Sequence, residues 1–282
     1  MSDWRKLGLI AGAGDLPRYV AEACRAEDRL GHVIAIKGFG EPHDYPGCTV
    51  RGVGEIGGVF EDMKTAGCDA ACFAGVVTRP DFKNLRPDWR GVSLLPKVLA
   101  AAARGDDALL RVIVGAFEAE GFQVVGSDEV AGSLLAREGV LGGVGLSADN
   151  LADARKAMET AADIGRLDIG QGVVVCDGLV LAVEAQEGTD RMIARVGELD
   201  AALRGNSGAP RGVLAKRPKP IQERRVDLPT IGVSTVERAA EAGLAGIVAP
   251  AGGALILGQK AVRDAADAAG LFVLITSEDG VV

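Results

Sequence analysis

The stretch Lys216–Gly232, KRPKPIQERRVDLPTIG, sets Lys216, Arg217, Lys219, Arg224 and Arg225 ahead of one carboxylate, Asp227. Cations bracketing an acid suit a polyanionic substrate. The cations offset phosphoryl charge as it develops, and the carboxylate activates water or holds a metal ion. Lys216 and Arg224 are the cations expected to stabilise that charge, with Asp227 as general base, metal ligand, or both. The plainer alternative is a surface ion pair between Asp227 and a neighbouring Arg, worth little. Pro218 and Pro220 keep the first half of the stretch out of helix, and Pro229 does the same after the acid. Asp227 is therefore expected on a stiff, non-helical connection.

A second group of candidates follows short apolar runs. Gly12-Ala-Gly14-Asp15-Leu-Pro17 comes after Leu7–Ala11 and opens an amphipathic stretch. Free backbone N–H groups at a helix start attract an anion, and Gly12 and Gly14 would let a phosphate come close. Pro17 stands where a strict dinucleotide fingerprint needs its third glycine, so that fingerprint is rejected. The alternative is a tight turn with Asp15 capping the helix. Gly75, Thr78 and Arg79 end another apolar run and are expected on the same sheet edge, where ligands of α/β sheets bind. Asp106 and Asp107 begin a helix, as caps or as ligand contacts. Gly126 is a weaker candidate of the same type.

In VEAQEGTDR, Glu184, Glu187 and Asp190 put three acids within seven residues, with no histidine nearby. Oxygen ligands of this kind suit Mg2+. Thr189 or Asp190 could instead simply cap a helix. Gly188 and Thr189 of this turn, and Gln171 at the head of the preceding hairpin, are expected to contact substrate.

These positions need a scaffold. The first 130 residues alternate apolar runs and amphipathic stretches: strands at Leu7–Ala11, His32–Ile36, Ala70–Val77 and Phe122–Val125, helices at Leu16–Ala26, Ile56–Ala66, Ser93–Ala103 and Asp106–Glu120. That rhythm predicts an α/β fold whose N-terminal domain, residues 1–140, is a Rossmann-like parallel sheet. GVLGGVG at Gly139–Gly145 breaks the rhythm, and the boundary is placed at 138–148. Ser147 then caps a helix running to about Asp163. The C-terminal domain, residues 148–282, is expected to be mixed α/β and catalytic. Asp177-Gly178 between GVVVC and LVLAVEA signals a hairpin. Helices at Asp190–Leu203, Val236–Ala242 and Lys260–Ala269, strands at Gly212–Lys216, Gly246–Ala249 and Leu271–Ile275, and a short run at Ala254–Leu257 complete it.

Composition excludes several classes. A net charge of −8 argues against nucleic-acid binding. Two histidines, His32 and His43, exclude a His-rich dimetal site. Five cysteines without a CxxC read as reduced and mostly buried. The N-terminus has no signal-peptide core, and no apolar run approaches the roughly 18 residues of a spanning helix, so a soluble chain that at most rests on a membrane surface is expected.

Taken in order, LGLIAGAGDLP, FAGVVTRP, RGDDALLR, DIGQGVVV, AVEAQEGTDRM, RRVDLPTIG and AGLAGIVAPAGG resemble the LpxI family of UDP-2,3-diacylglucosamine pyrophosphatases over nearly the whole chain. The resemblance implies Mg2+-dependent hydrolysis of the UDP-linked diacylated glucosamine to lipid X and UMP, with water attacking the sugar-side phosphorus. It also implies two domains with the lipid held between them, action in the cytoplasm at the inner membrane surface of Gram-negative bacteria, and dimerisation. The match at RRVDLP places the family's critical aspartate at Asp227. The chain departs from the pattern at Ile221-Gln222-Glu223, where GQD is usual, at Gly58, where lysine is often found, and at Ala215 in VLAK. Two other readings stay open: a nucleotide-dependent oxidoreductase using the Gly12 loop, disfavoured by Pro17 and by Lys37 at the end of the second strand, and a non-catalytic lipid-binding module.

Overall fold

The computed structural model describes residues 3–82, 84–143, 145–220 and 223–277. The chain divides into two compact units: residues 1–133 together with Glu223–Asp227, and residues 134–222 together with 228–282.

The first unit runs β1 (Leu7–Ala11), α1 (Leu16–Ala26), β2 (Leu30–Ile36), β3 (Thr49–Arg51), α2 (Ile56–Thr65), β4 (Ala70–Ala74), α3 (Trp89–Ala102), α4 (Asp106–Ala119), β5 (Gln123–Val124) and α5 (Ser127–Val130). Its five strands pair in the order β3-β2-β1-β4-β5, all parallel. The apolar runs of β1 and β4 are buried because apolar clusters cover both faces of the sheet. On one face Phe117 meets Phe60 and Phe73 edge-on, with centroids 4.9 and 4.8 Å apart. The strand order reverses between β1 and β4, which makes their C-terminal ends the expected ligand crevice of such a sheet.

Local chemistry sets where these elements begin and end. Proline is tolerated in the first turn of α1, where an N–H would have no partner. Asp15 occupies the cap position but makes no side-chain cap bond, so the alternative of an Asp15 cap is not realised. The expected strand Ala70–Val77 stops at Ala74, because Gly75 turns to φ +86°. Helix α3 begins at Trp89 rather than Ser93, since Asp88 accepts the Gly91 amide at 2.8 Å and caps it. β3 had no apolar run to announce it. Its Thr49 hydroxyl and Arg51 guanidinium both bond Asp62 of α2, at 2.8 Å.

The second unit runs β6 (Gly139–Leu141), α6 (Ala148–Arg166), β7 (Gly172–Cys176), β8 (Leu179–Val183), α7 (Thr189–Gly197), β9 (Val213–Lys216), β10 (Thr230–Ile231), α8 (Val233–Glu241), β11 (Gly246–Pro250), β12 (Leu255–Ile256), α9 (Gln259–Ala269) and β13 (Phe272–Thr276). Among the described residues it holds a six-stranded mixed sheet, β6-β13-β11-β9-β7-β8, and a parallel pair, β10-β12. α6 packs with β7, β9 and β11 in one apolar cluster, and α7, α8 and α9 pack in another, so β7 is buried along its length. The hairpin forms at Asp177-Gly178, with φ +49° and +73°, the pair of positive values a tight two-residue turn needs. Ser147 caps α6 by accepting the Asn150 amide at 3.1 Å.

The expected domain limits shift in two places. Gly139–Gly145 (Val144 lies outside the described residues) was expected at the boundary, yet Gly139–Leu141 pairs antiparallel with β13 inside the second unit. Glu223–Asp227, expected in the C-terminal domain, belongs to the first unit. The Glu223 amide donates to Asp107 at 2.7 Å, and Val226 packs against the cluster of Phe60, Phe117 and Phe122.

Candidate active site

The glycine loops lie where the sequence put them, at the C-terminal ends of β1, β4 and β5. Their amides are partly committed. Gly12 donates to the Ala74 carbonyl at 2.8 Å, and Ala13 and Val76 exchange amide bonds at 2.9 Å. A Cβ at Gly12 would stand 2.7 Å from the Val76 oxygen, and one at Gly75 would stand 2.6 Å from the Ala13 oxygen. Both glycines are thus explained by two loops packed backbone to backbone, and the Gly12 amide expected for a phosphate is engaged in that contact. Gly14 differs: it has φ +89°, is exposed, and a Cβ there would meet nothing within 4 Å. Thr78 is exposed in the β4 loop. Arg79 caps the end of α3, donating to the Ala102 carbonyl at 2.7 Å with Asp106 3.8 Å away. The Gly126 amide donates to Glu129 at 3.3 Å within α5.

The basic stretch does not act as one cluster. Lys216 is buried and donates to the Thr230 carbonyl at 2.7 Å. Arg217 bonds the Met158 carbonyl at 3.4 Å, and Lys219 pairs with Asp168 at 2.7 Å. Arg225 is gripped by both oxygens of Glu223, each at 2.9 Å, and by Glu118 at 2.8 Å. Arg225, one of the two arginines offered for the alternative ion pair with Asp227, is held by Glu118 and Glu223. Arg224 is exposed on the same turn. Ile221 and Gln222 of the departure Ile221-Gln222-Glu223 lie outside the described residues, whereas Glu223 is the pivot of the turn that carries Asp227. The Val226 and Asp227 amides donate to the Glu223 carbonyl at 3.0 and 3.3 Å, a single hydrogen-bonded turn that does not continue as a helix.

Sequence reasoning missed the residues that hold this turn. Asp107, read as a cap or ligand, accepts the Glu223 amide and pairs with Arg111 at 2.7 Å; α4 begins at Asp106 as expected, but Gly105 takes its cap position. Asp107, Arg111 and Glu118 fall on one face of α4 by the 3.6-residue period, so an acid–base–acid stripe was there to be read. The Arg225 bond holds the Glu223 carboxyl below its ordinary value of 4.5. Arg51 likewise holds Asp62 low. A depressed folded value means stabilisation that is complete above the unfolded value and lost as pH falls through the folded one. Glu223→Gln should therefore lose less stability than the parent between about pH 7 and pH 3, followed by circular dichroism. Equal losses would remove the Arg225–Glu223 fork as a cause.

The acidic turn does not fit a shared Mg2+ shell. The Glu184 carboxylate is buried and accepts the Thr189 hydroxyl at 3.0 Å. Glu187 pairs with Arg195 at 2.8 Å, and Asp190 with Arg238 at 3.3 Å. Gly188, at φ +80°, rather than Thr189 or Asp190, takes the cap position of α7. The Gln171 side-chain oxygen is buried with no hydrogen-bond partner. Among the described residues, the three-ligand group with donor atoms within 4.8 Å of one another is Asp153, Cys176 and Asp177. There Asp153 accepts the Asp177 and Gly178 amides at 2.9 and 2.8 Å, which ties down the hairpin turn, and burial pushes the Cys176 thiol up to about 11. Burial also raises Cys24 and Cys68 to about 11 and Cys72 to about 12, which leaves these thiols protonated and poor nucleophiles.

Comparison with known proteins agrees with the order of these elements. Residues 6–134 match the LpxI N-terminal domain and residues 137–274 the LpxI C-terminal domain. The chain is 55% identical over 272 residues to UDP-2,3-diacylglucosamine pyrophosphatase LpxI of Caulobacter vibrioides (strain ATCC 19089 / CIP 103742 / CB 15), covering 96% of this chain and 97% of that protein. Both halves of the fold and nearly every residue of the candidate site fall inside those matches, and the chain belongs to the LpxI family.

Proposed function

We propose that this protein hydrolyses the pyrophosphate of UDP-2,3-diacylglucosamine in lipid A biosynthesis, releasing 2,3-diacylglucosamine 1-phosphate (lipid X) and UMP. The observation that carries this reading is 55% identity, spanning almost the full length of both chains, to a protein named for that activity. In the proposed chemistry a water oxygen bonds to the sugar-side phosphorus while the bond to the bridging oxygen breaks. The electron pair leaves with UMP, and the Asp227 carboxylate takes the proton from water. Arg224, exposed on the same turn, offsets charge on the phosphoryl oxygens. The Glu223–Arg225–Glu118 fork fixes the turn, so Asp227 acts from a held position. Lys216 is the second proposed cation, assigned from its place in the motif. Gly14 and Thr78, exposed beside the β1–β4 reversal, are the proposed nucleotide contacts.

Mg2+ dependence belongs to the proposal as a requirement to be measured, and no ligand shell is assigned to the Glu184–Asp190 turn. So do dimerisation and action at the cytoplasmic surface of the inner membrane. No described helix is long and apolar enough to cross a membrane. The test is hydrolysis in 18O-water, with and without Mg2+ after chelation, products read by mass spectrometry. Label on lipid X is the expected result. Label on UMP would overturn the direction of attack, and no UMP release under any divalent ion would sink the activity.

A further inference from the structure

We infer that the outward face of α3 docks on an anionic lipid surface. The inference rests on the proposed reading, because it says which part of the chain meets the bilayer holding a lipid substrate. Along α3 and its end, Trp89, Val92, Pro96, Leu99, Ala100 and Ala103 recur at helical spacing and are all exposed. Gly91, Leu94, Val98 and Ala101 make the opposite, more covered face, so the helix is apolar on both sides. A helix whose outer face meets only water carries polar residues there. Trp89 is 71% exposed at the first turn, and Val76 and Val77 of the β4 loop add further exposed apolar surface in the same unit.

Charge decides the partner. Residues 79–104 carry six Lys/Arg against two Asp in a chain of net −8; Arg79 and Arg90 pair with Asp106 and Glu120 outside this stretch. Of the two acids, Asp88 is spent on amides, accepting from Gly91 at 2.8 Å and Gly58 at 3.0 Å. Arg86, Lys97 and Arg104 are exposed; Lys97 borders the apolar stripe by its place on the helix, and Arg104 lies in the turn that follows it. An apolar stripe with Trp at one end and basic residues at its margin is the composition of a helix that lies in a membrane interface, its long cations reaching the headgroups.

The chain's two tryptophans make the test direct, since Trp4 is 6% exposed and Trp89 is open. The full-length protein is floated with phosphatidylcholine vesicles, with or without about one quarter phosphatidylglycerol, while tryptophan emission is recorded. Expected are binding and a blue shift with the anionic vesicles, both weakened by salt. Trp89→Ser/Val92→Ser/Leu99→Ser and, separately, Lys97→Glu/Arg104→Glu should each lower binding by about tenfold or more at an unchanged thermal midpoint. Wild-type protein that ignores anionic vesicles, variants that bind as well as wild type, or a vesicle-blind dimer that the triple variant abolishes would each overturn the inference. Turnover on detergent-dispersed UDP-2,3-diacylglucosamine separates the two readings. If the wild type hydrolyses it but does not bind vesicles, docking fails alone; if it binds vesicles through α3 but releases no UMP, the proposed activity fails alone.

Discussion

Asp227→Asn is expected to lower the rate of UMP release by about three orders of magnitude, within the ~10²–10⁴ that a positioned general base supplies. The amide keeps the size of the carboxylate and cannot take a proton from water. The turn itself should survive, since its anchors lie elsewhere: the Glu223 amide on Asp107, Arg225 between Glu223 and Glu118, and Val226 in the aromatic cluster. The thermal midpoint should therefore stay close to the parent. The loss should fall on kcat, with KM little changed, as for an interaction made only in the transition state. Turnover within about twofold of wild type would remove Asp227 from the reacting centre.

Gly75→Ala is expected to destabilise the first unit by roughly 2–5 kcal/mol. Two costs combine. Left-handed φ is unfavourable for any residue with a Cβ, by about 1–2 kcal/mol. The added methyl would also lie 2.6 Å from the Ala13 oxygen, 2.8 Å from Pro17 Cγ and 2.9 Å from the Gly12 carbonyl carbon, and these are backbone and ring atoms that cannot swing aside. Gly14→Ala is the control: its φ is +89° but its Cβ would meet nothing within 4 Å, so only the first cost applies. Against a typical 5–15 kcal/mol of total stability, the difference should be plain in urea unfolding. Equal losses at the two positions would mean that the Gly12–Gly75 backbone contact has no energetic weight.

Elements with a continuous apolar run or a strong terminus signal were legible in the sequence. β1 and α1 appear with the limits read from Leu7–Ala11 and Leu16–Ala26, because the run is buried and Pro17 fixes the helix start. The β7–β8 hairpin follows from Asp177-Gly178. Short edge strands were not legible. β3 owes its place to polar bonds with Asp62, and β6 to pairing with β13 more than a hundred residues away, neither of which periodicity can register. The site divides in the same way. The turn carrying Asp227 was visible as a motif, but what each charge binds was not. Five neighbouring cations look alike in sequence, while in the fold Lys219 meets Asp168, Arg217 the Met158 carbonyl, and Arg225 both Glu223 and Glu118. The acids of VEAQEGTDR were grouped by spacing alone, and a tight turn sends Glu187 and Asp190 to arginines on different helices.

The return of Glu223–Asp227 to the first unit bears on how the chain is made. As it emerges from the ribosome, the first 133 residues can form their parallel sheet, yet the Phe60–Phe117–Phe122 cluster still lacks Val226 and the Asp107 carboxylate still lacks the Glu223 amide. Closing that loop carries an entropic cost that grows slowly with its length, so the delay is set more by synthesis than by chain statistics. The residue proposed for catalysis thus arrives with the last strap of the first unit. An N-terminal product ending before residue 223 would lack Val226 in the aromatic cluster, the amide that Asp107 accepts and the carboxylate proposed for catalysis, all at once.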